Sequence, residues 1–415
     1  MTRIGSVCVL IFFSIFLGAC AGTNGSSPAS ARVSAEAIAK LDRTLKDEIA
    51  QGGLPGTVML IYRNGQVAHF EANGMRDKEA QIPMTRDSIF RMASMTKPIT
   101  SVAIMMLYEE GRIAIGDPVS KYLPEFKDMK VGVEGKDAAG NTVLNLVQPR
   151  RAMTVQDLLR HTSGLTYGHR GRSSALVKKS YVAAGEQSRE HTNAELVTKL
   201  AKTPLAFHPG TQWEYGRSTD VLGRIVEVVS GMTLGEFFQS RIFAPLGMVD
   251  TFFNVPPGKV ARVAHPMIES ATGRRPNVSD PSKPQRFESG GGALFSTASD
   301  YLRFTRMLLA GGELDGVRLL SPKTVEFMTS DHLGATPGSN YPGYGFGLGF
   351  AVRTSTGVND MPGSVGEYLW GGAQGTWFWI DPREKLIAIF MSQRPGDVRV
   401  HYRRMVKNLV AQTLR

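Results

Sequence analysis

The amino-acid sequence predicts an α/β (α+β) fold in which a mixed, mainly antiparallel sheet is flanked by helices and accompanied by an all-helical lobe. Runs rich in β-branched and aromatic residues lie near both ends of the chain, whereas the region between them has helical apolar periodicity. The 415 residues, 42% hydrophobic and 20% charged, suffice for a large apolar core. Because the two ends share β character, we expect them to form one sheet.

The N-terminus has the pattern of an export signal. Arg3 precedes an apolar run, residues 7–17, that is too short to span a membrane comfortably. We interpret residues 1–19 as a signal peptide and residues 20–33, rich in Gly, Ser and Ala, as a flexible tether. The preceding Leu-Gly-Ala resembles a bacterial lipobox, which implies lipidation of Cys20; a plain cleaved signal is the alternative. We therefore expect an exported protein, lipid-anchored to a membrane of the cell envelope and facing the periplasm or exterior.

Charge and cysteine usage narrow the classes of function. Cys8 lies in the predicted signal peptide, so the mature chain keeps one cysteine and forms no internal disulfide. The formal net charge is +11, but the basic residues are dispersed and no nucleic-acid-binding module is present, so we expect no nucleic-acid partner. The eight histidines lack metal-ligand spacing, so no metal and no other cofactor are expected.

The predicted elements follow the chain in three groups. A helix at residues 34–51 precedes two β-rich runs around Asn64-Gly65, which predict a hairpin with a type I′ turn. The middle region has helical periodicity at residues 99–110, 154–161, 193–200, 219–230 and 233–242. Its polar stretches are interpreted as long loops, the first with room for a small hairpin, at residues 127–152 and 167–192. Strands and then a final helix are predicted at residues 344–353, 366–371, 376–381, 385–391 and 398–414.

A Ser-x-x-Lys motif opens the first helix of the middle region. Ser94 and Lys97 are three residues apart, so their side chains meet on one helix face. Pro98 is tolerated only in a first turn, which places the helix start close to Ser94. The positive end of the helix disfavours a charged Lys97, so its amine is expected to act as a base for the Ser94 hydroxyl. The N–H of Ser94 is a candidate oxyanion donor.

Two further segments carry candidate functional residues. Tyr215 lies in a loop before a predicted helix, where its hydroxyl is suited to proton transfer; a packing aromatic is the alternative. Trp370, Gly371 and Gly372 lie on a strand whose glycines let a ligand approach the backbone, although a strand packed under a helix has the same pattern.

Together these segments resemble the serine β-lactamase and penicillin-binding-protein superfamily, in its class C-like branch, and most closely the family VIII carboxylesterases. The resemblance runs from about residue 34 to residue 414. It implies a β-lactamase/transpeptidase-like fold for residues 34–415, with an α/β lobe from residues 34–92 and 285–415 and a helical lobe from residues 93–284.

The resemblance also assigns site residues and a substrate class. It implies that Ser94 is the acylated nucleophile, Lys97 its base and Tyr215 a catalytic partner, and that the N–H of Ala373 is the second oxyanion donor. Trp370-Gly371-Gly372 stands where β-lactamases carry Lys-Thr-Gly, so the cation and hydroxyl that help to hold a substrate carboxylate are missing. This departure favours a carboxylesterase for short-chain esters over a β-lactamase or D-amino-acid peptidase of class C-like type.

The sequence allows two roles for Arg217 and more than one function for the protein. Arg217 replaces the Asn of the family's Tyr-x-Asn motif, and it is either a substrate-binding residue or a solvent-facing arginine at a helix start. A non-turnover protein that binds cell wall or senses acylation is a second alternative to the esterase. A Ser-His-Asp hydrolase is disfavoured because no Gly-x-Ser-x-Gly motif is present. The expected partner is therefore a small-molecule ester or amide.

Overall fold

The computed structural model describes residues 33–268, 273, 276–338 and 341–414. The predicted signal peptide, the lipidation candidate Cys20 and nearly all of the tether lie outside these residues. Within the described ranges, no helix is both long and apolar enough to cross a bilayer.

The strands are numbered in chain order through the described residues. They are β1 Gly56–Arg63, β2 Gln66–Asp77, β3 Ile82–Pro83, β4 Phe90–Arg91, β5 Val131–Lys136, β6 Thr142–Val147, β7 Phe295–Ser296, β8 Glu313–Leu314, β9 Val317–Arg318, β10 Tyr344–Phe346, β11 Ala351–Arg353, β12 Tyr368–Gly371, β13 Trp377–Asp381 and β14 Leu386–Met391. Eight of them form the main sheet in the order β10-β11-β12-β13-β14-β1-β2-β3. Both ends of the chain thus contribute to one sheet, as the sequence predicts, and every neighbouring pair in it is antiparallel.

The α-helices are numbered in the same way. They are α1 Ala35–Ala50, α2 Lys97–Glu109, α3 Val155–Leu159, α4 Ala175–Ala183, α5 Asn193–Leu200, α6 Ser218–Ser230, α7 Leu234–Phe238, α8 Ala244–Leu246, α9 Ala298–Leu309, α10 Pro322–Met328 and α11 Val398–Ala411. Helices α1 and α11 pack on each other, and α9 packs on β14 and β1. Helix α2 is buried along almost its whole length and packs on α6, so the start of α2 is fixed from several sides.

The Asn64-Gly65 hairpin is confirmed. Strands β1 and β2 pair on either side of the turn, and both turn residues have positive φ, 49° for Asn64 and 88° for Gly65. A type I′ turn requires that conformation at both central residues, and asparagine and glycine adopt it at the least cost. A second hairpin, β5 with β6, occupies the first of the two predicted loops.

Two predicted elements are wrong in detail. The stretch 167–192, interpreted as a loop, contains helix α4, which Ser174 caps by accepting a hydrogen bond from the Val177 N–H. The single strand predicted at residues 344–353 is two short strands, β10 and β11, paired with each other. The chain reverses between them at Gly349, whose φ of 103° suits glycine far better than other residues.

Candidate active site

Ser94 lies in a single 3₁₀ turn, Ala93–Thr96, that leads directly into α2. The turn is held from both sides, because β4 pairs with β7 and the Met92 N–H donates to the Leu294 carbonyl at 2.8 Å. Ala93 has a φ of 45°, a left-handed conformation that costs an alanine on the order of 1–3 kcal/mol. The surrounding structure therefore imposes this turn, and it presents Ser94 at 9% exposure.

Lys97 is the first residue of α2 and is almost completely buried. Its ammonium donates to the Gly291 carbonyl at 2.6 Å, to the Tyr167 hydroxyl at 3.3 Å and to Ser94 Oγ at 3.5 Å. The nitrogen also lies 4.7 Å from the ring centre of Tyr215. The structure thus brings Tyr215, from a distant part of the sequence, next to the Ser94–Lys97 pair.

The sequence predicts a neutral Lys97 amine, but the groups around Lys97 shift its pKa in the other direction. Burial by itself lowers the pKa of Lys97, but interactions with Tyr167, Tyr215 and Asp220 outweigh burial and raise it. The positive end of helix α2, considered alone, predicts a lowered pKa for Lys97 instead. This direction favours the ammonium form of Lys97 beside Ser94.

Tyr215 has the properties of a proton acceptor. Burial raises the pKa of its phenol, but the charges of Lys97 and Arg170 outweigh that effect and lower the pKa below its ordinary value. The hydroxyl is buried, and hydrogen bonding with the Lys97 ammonium and the Ser94 hydroxyl also lowers this pKa. Its ring is wedged between His161 at 4.9 Å and Trp370 at 5.4 Å, measured between ring centres, so its position is fixed.

The two predicted oxyanion donors lie at one cavity. Ser94 and Ala373 both line a cavity of about 120 Å³, and neither N–H donates to a backbone carbonyl within the described ranges. Gly372 places the strand against the nucleophile turn, because an added Cβ would overlap the Met92 carbonyl oxygen and Thr376 Oγ1. The absence of a side chain at Gly372 is thus what lets the two N–H groups approach the same cavity.

Trp370 and Gly371 line the same cavity, which we call the strand-side cavity. The Trp370 ring is buried and packs edge-on against Phe346 as well as against Tyr215. Arg399 and Arg403 also line this cavity, and the Arg403 guanidinium donates to the Gly372 carbonyl at 2.7 Å.

Arg217 is expected from the sequence either to bind substrate or to face solvent, and the structure buries it between two carboxylates. Its guanidinium is 12% exposed and forms ion pairs with Glu186 and with Asp220, whose side chains are 0% and 1% exposed. It therefore is not a solvent-facing arginine, and its charge is already balanced by two carboxylates. Its role as a substrate ligand stays a prediction.

Sequence reasoning missed three residues that surround Ser94 and Lys97. Tyr167 and Arg170 come from the stretch interpreted as a loop, and Gly291 comes from the Ser-Gly-Gly-Gly segment. Arg170 lies over the rings of Tyr167 and Tyr215 at 4.5 and 5.3 Å from their centres. For Arg170 the signal in the sequence is the basic cluster at residues 170–172, and charge alone does not show which arginine faces inward.

Comparison with known proteins agrees with this geometry. The profile of the family named Beta-lactamase matches residues 41–412. The chain belongs to the beta-lactamase family. A protein of Mycobacterium tuberculosis is 36% identical over 378 residues, covering 86% of this chain and 90% of the relative. Esterase EstB of Burkholderia gladioli is 29% identical over 362 residues, covering 83% of this chain and 87% of the relative.

Among solved structures, EstCE1, described as a hydrolase with promiscuous acyltransferase activity, superimposes with a TM-score of 0.76. It is 25% identical, and the match covers 90% of this chain and 98% of EstCE1. The predicted fold class and family resemblance are confirmed, and the chain is an enzyme of the serine hydrolase type. Across the residues that the structure describes, no group of three or more His, Cys, Asp or Glu side chains is placed to hold a metal ion.

Proposed function

We propose that this enzyme is a carboxylesterase that cleaves short-chain esters through an acyl-enzyme on Ser94. One observation carries the proposal: Ser94, the Lys97 ammonium and a Tyr215 phenol of lowered pKa meet beside the small strand-side cavity. A nucleophile, a proton acceptor and two free N–H donors are the groups that acyl transfer requires.

Each group at the site has a separate role in acylation of Ser94. Tyr215, as phenolate, takes the Ser94 proton while Oγ forms a bond to the ester carbon, and the Lys97 ammonium stabilises the charge that develops. The N–H groups of Ser94 and Ala373 stabilise the carbonyl oxygen as it becomes negative. The tetrahedral intermediate then breaks its bond to the alcohol oxygen, which receives the proton from Tyr215. Water repeats the sequence on the acyl-enzyme and releases the acid.

The lining and the size of the strand-side cavity favour esters over β-lactams as substrates. Trp370 fills the position where a β-lactamase would place a lysine, and its ring is packed against Tyr215 and Phe346, so it offers apolar contact. The cavity is small, about 120 Å³, which suits a short acyl chain. EstB and EstCE1, by their names an esterase and a hydrolase, share most of the chain's length.

A substrate panel tests this proposal. Purified enzyme is assayed with p-nitrophenyl acetate, butyrate, octanoate and palmitate beside nitrocefin and a D-Ala-D-Ala peptide, with Ser94→Ala as the control for background hydrolysis. We expect the highest kcat/KM on acetate or butyrate and a steep fall with chain length. A kcat/KM on nitrocefin equal to the best ester would contradict the esterase assignment. A burst of nitrophenol without turnover would identify a non-turnover acylation sensor instead.

A β-lactamase or D-amino-acid peptidase is the second candidate, and one observation favours it. Arg403 lines the strand-side cavity, and its buried Nε has no hydrogen-bond partner among the described residues. A guanidinium at this position is able to bind the carboxylate that β-lactams carry. Because one of its two terminal nitrogens, Nη2, is committed to the Gly372 and Thr376 carbonyls, we rank this activity below ester cleavage.

We further propose that Cys20 carries a lipid that anchors the enzyme to a membrane of the cell envelope. The support is the sequence alone: an apolar signal ends in small residues immediately before this cysteine. Cys20→Ser, expressed in a bacterial host, should move the enzyme from the membrane fraction to the soluble fraction, because no thiol is left to carry the lipid. Recovery of wild-type enzyme with an unmodified N-terminus beyond Cys20 would show an ordinary signal peptide.

A further inference from the structure

A second cavity, of about 280 Å³, opens on Ser94 from the side of Gly291. It is lined by the arginines Arg91, Arg170, Arg189 and Arg217, with no aspartate or glutamate among the described residues that line it, and we call it the arginine cavity. None of residues 370–373 lines it, so it is distinct from the strand-side cavity. Ser94 and Arg170 line both cavities, so the reacting serine lies where the two meet.

Among the described residues, the arginine cavity has more cationic side chains than carboxylates paired with them. Four guanidinium groups line the cavity and the Lys97 ammonium lies behind it. Within the described ranges, the buried carboxylates that pair with an arginine of this cavity are Glu186 and Asp220, and both pair with Arg217. Because like charges in a partly buried site repel one another, an anion bound here is favoured by several cations at once.

Arg170 is the cation best placed to bind such an anion. Arg91 donates to the Ala264 and Ser279 carbonyls, and Arg189 donates to the Asn277 carbonyl at 2.7 Å. Arg170 instead lies over the Tyr167 and Tyr215 rings, and its buried Nε has no hydrogen-bond partner within the described residues. A guanidinium held against two rings is pre-oriented, so it loses little freedom when it binds a carboxylate.

We propose that the arginine cavity binds a carboxylate carried by the ester substrate, with Arg170 as its main contact and Arg189 as a supporting charge. The proposal rests on ester cleavage at Ser94 and names the substrate class, esters with a free carboxylate on the acyl or the alcohol part. Such a substrate places its ester at Ser94 and extends one end into the arginine cavity, because Ser94 and Arg170 line the same space.

Matched pairs of esters test the proposal and separate the two sources of the carboxylate. The acyl arm compares mono-p-nitrophenyl adipate with its methyl ester, and the alcohol arm compares 4-butyryloxybenzoate with its methyl ester. Each pair differs by one negative charge at nearly constant shape. A charge-assisted hydrogen bond predicts a kcat/KM about tenfold or more higher for the charged member of at least one pair.

The variants Arg170→Gln and Arg189→Gln show whether the arginine cavity causes the preference. The readout is the ratio of kcat/KM for the charged and neutral esters within each variant, because any effect of Arg170 on Tyr215 cancels in that ratio. We expect the ratio to fall about tenfold in Arg170→Gln and less in Arg189→Gln. The exposed neighbour Arg172, which does not line the cavity, is the matched control, and Arg172→Gln should keep the wild-type ratio.

Two results would overturn the inference. The first is a wild-type ratio at or below one in both arms, and the second is a preference that persists unchanged in Arg170→Gln and Arg189→Gln. In both cases turnover of the neutral esters still supports the esterase proposal. Loss of the esterase proposal has a different signature, an absence of turnover on every ester in wild-type enzyme.

Discussion

Arg217→Gln tests whether Arg217 stabilises the fold or binds substrate. The arginine is the buried partner of Glu186 and Asp220, so the variant leaves two carboxylates at 0% and 1% exposure without their cation. Removing one partner from a buried ion pair costs about 3–5 kcal/mol, because the remaining charge is uncompensated. For a chain of this length, with an unfolding entropy of about 2.1 cal/mol/K per residue, that loss corresponds to a fall in Tm of about 3–6 °C.

The assay is urea unfolding followed by circular dichroism, with Arg224→Gln as the matched control. Arg224 lies on α6, the helix that Arg217 precedes, and pairs with Glu227 at 3.0 Å, but its side chain is 31% exposed. Removing this more exposed pair should change the free energy of unfolding by less than about 1 kcal/mol. The double variant Arg217→Gln/Glu186→Gln should recover part of the loss, since one orphaned charge is removed. A wild-type free energy of unfolding for Arg217→Gln, together with a raised KM, would refute the structural role.

Three further predictions concern the active site. Tyr215→Phe should lower kcat/KM by about 10²–10⁴-fold. In wild-type enzyme kcat/KM should rise with pH through the lowered pKa of Tyr215, because the phenolate is the active form, and the variant should lose this limb of the pH–rate profile. Gly372→Ala should lower kcat/KM about hundredfold by displacing the Ala373 N–H, whereas Gly116→Ala, a position with open space, should not. The double variant Trp370→Lys/Gly371→Thr should raise the nitrocefin to butyrate kcat/KM ratio, and an unchanged ratio would show that Trp370 does not set the preference.

Local sequence patterns predict an element correctly where residues adjacent in the chain determine its conformation. The Asn64-Gly65 hairpin follows from two residues that tolerate positive φ, and the start of α5 follows from a capping box between Thr192 and Glu195. The strands near the two chain ends were predicted for the same reason, since their β-branched and aromatic runs are continuous.

Tertiary contacts explain what the sequence did not show. Helix α4 is short and includes the adjacent charges Lys178 and Lys179, so its apolar periodicity is weak. The pKa of Lys97 depends on Tyr167 and Asp220, which approach it from other segments of the chain and override the helix end. Arg170 likewise acquires its position from two aromatic rings that no spacing in the sequence brings together.

The most direct measurement of the central claim is the identity of the acylated residue. Enzyme mixed with p-nitrophenyl butyrate is quenched in acid within the first turnover, digested and analysed by mass spectrometry, with Ser94→Ala treated in parallel. We predict a butyryl group on the peptide that contains Ser94, and none in the variant. A butyryl group on another serine, or steady turnover by Ser94→Ala, would contradict the account.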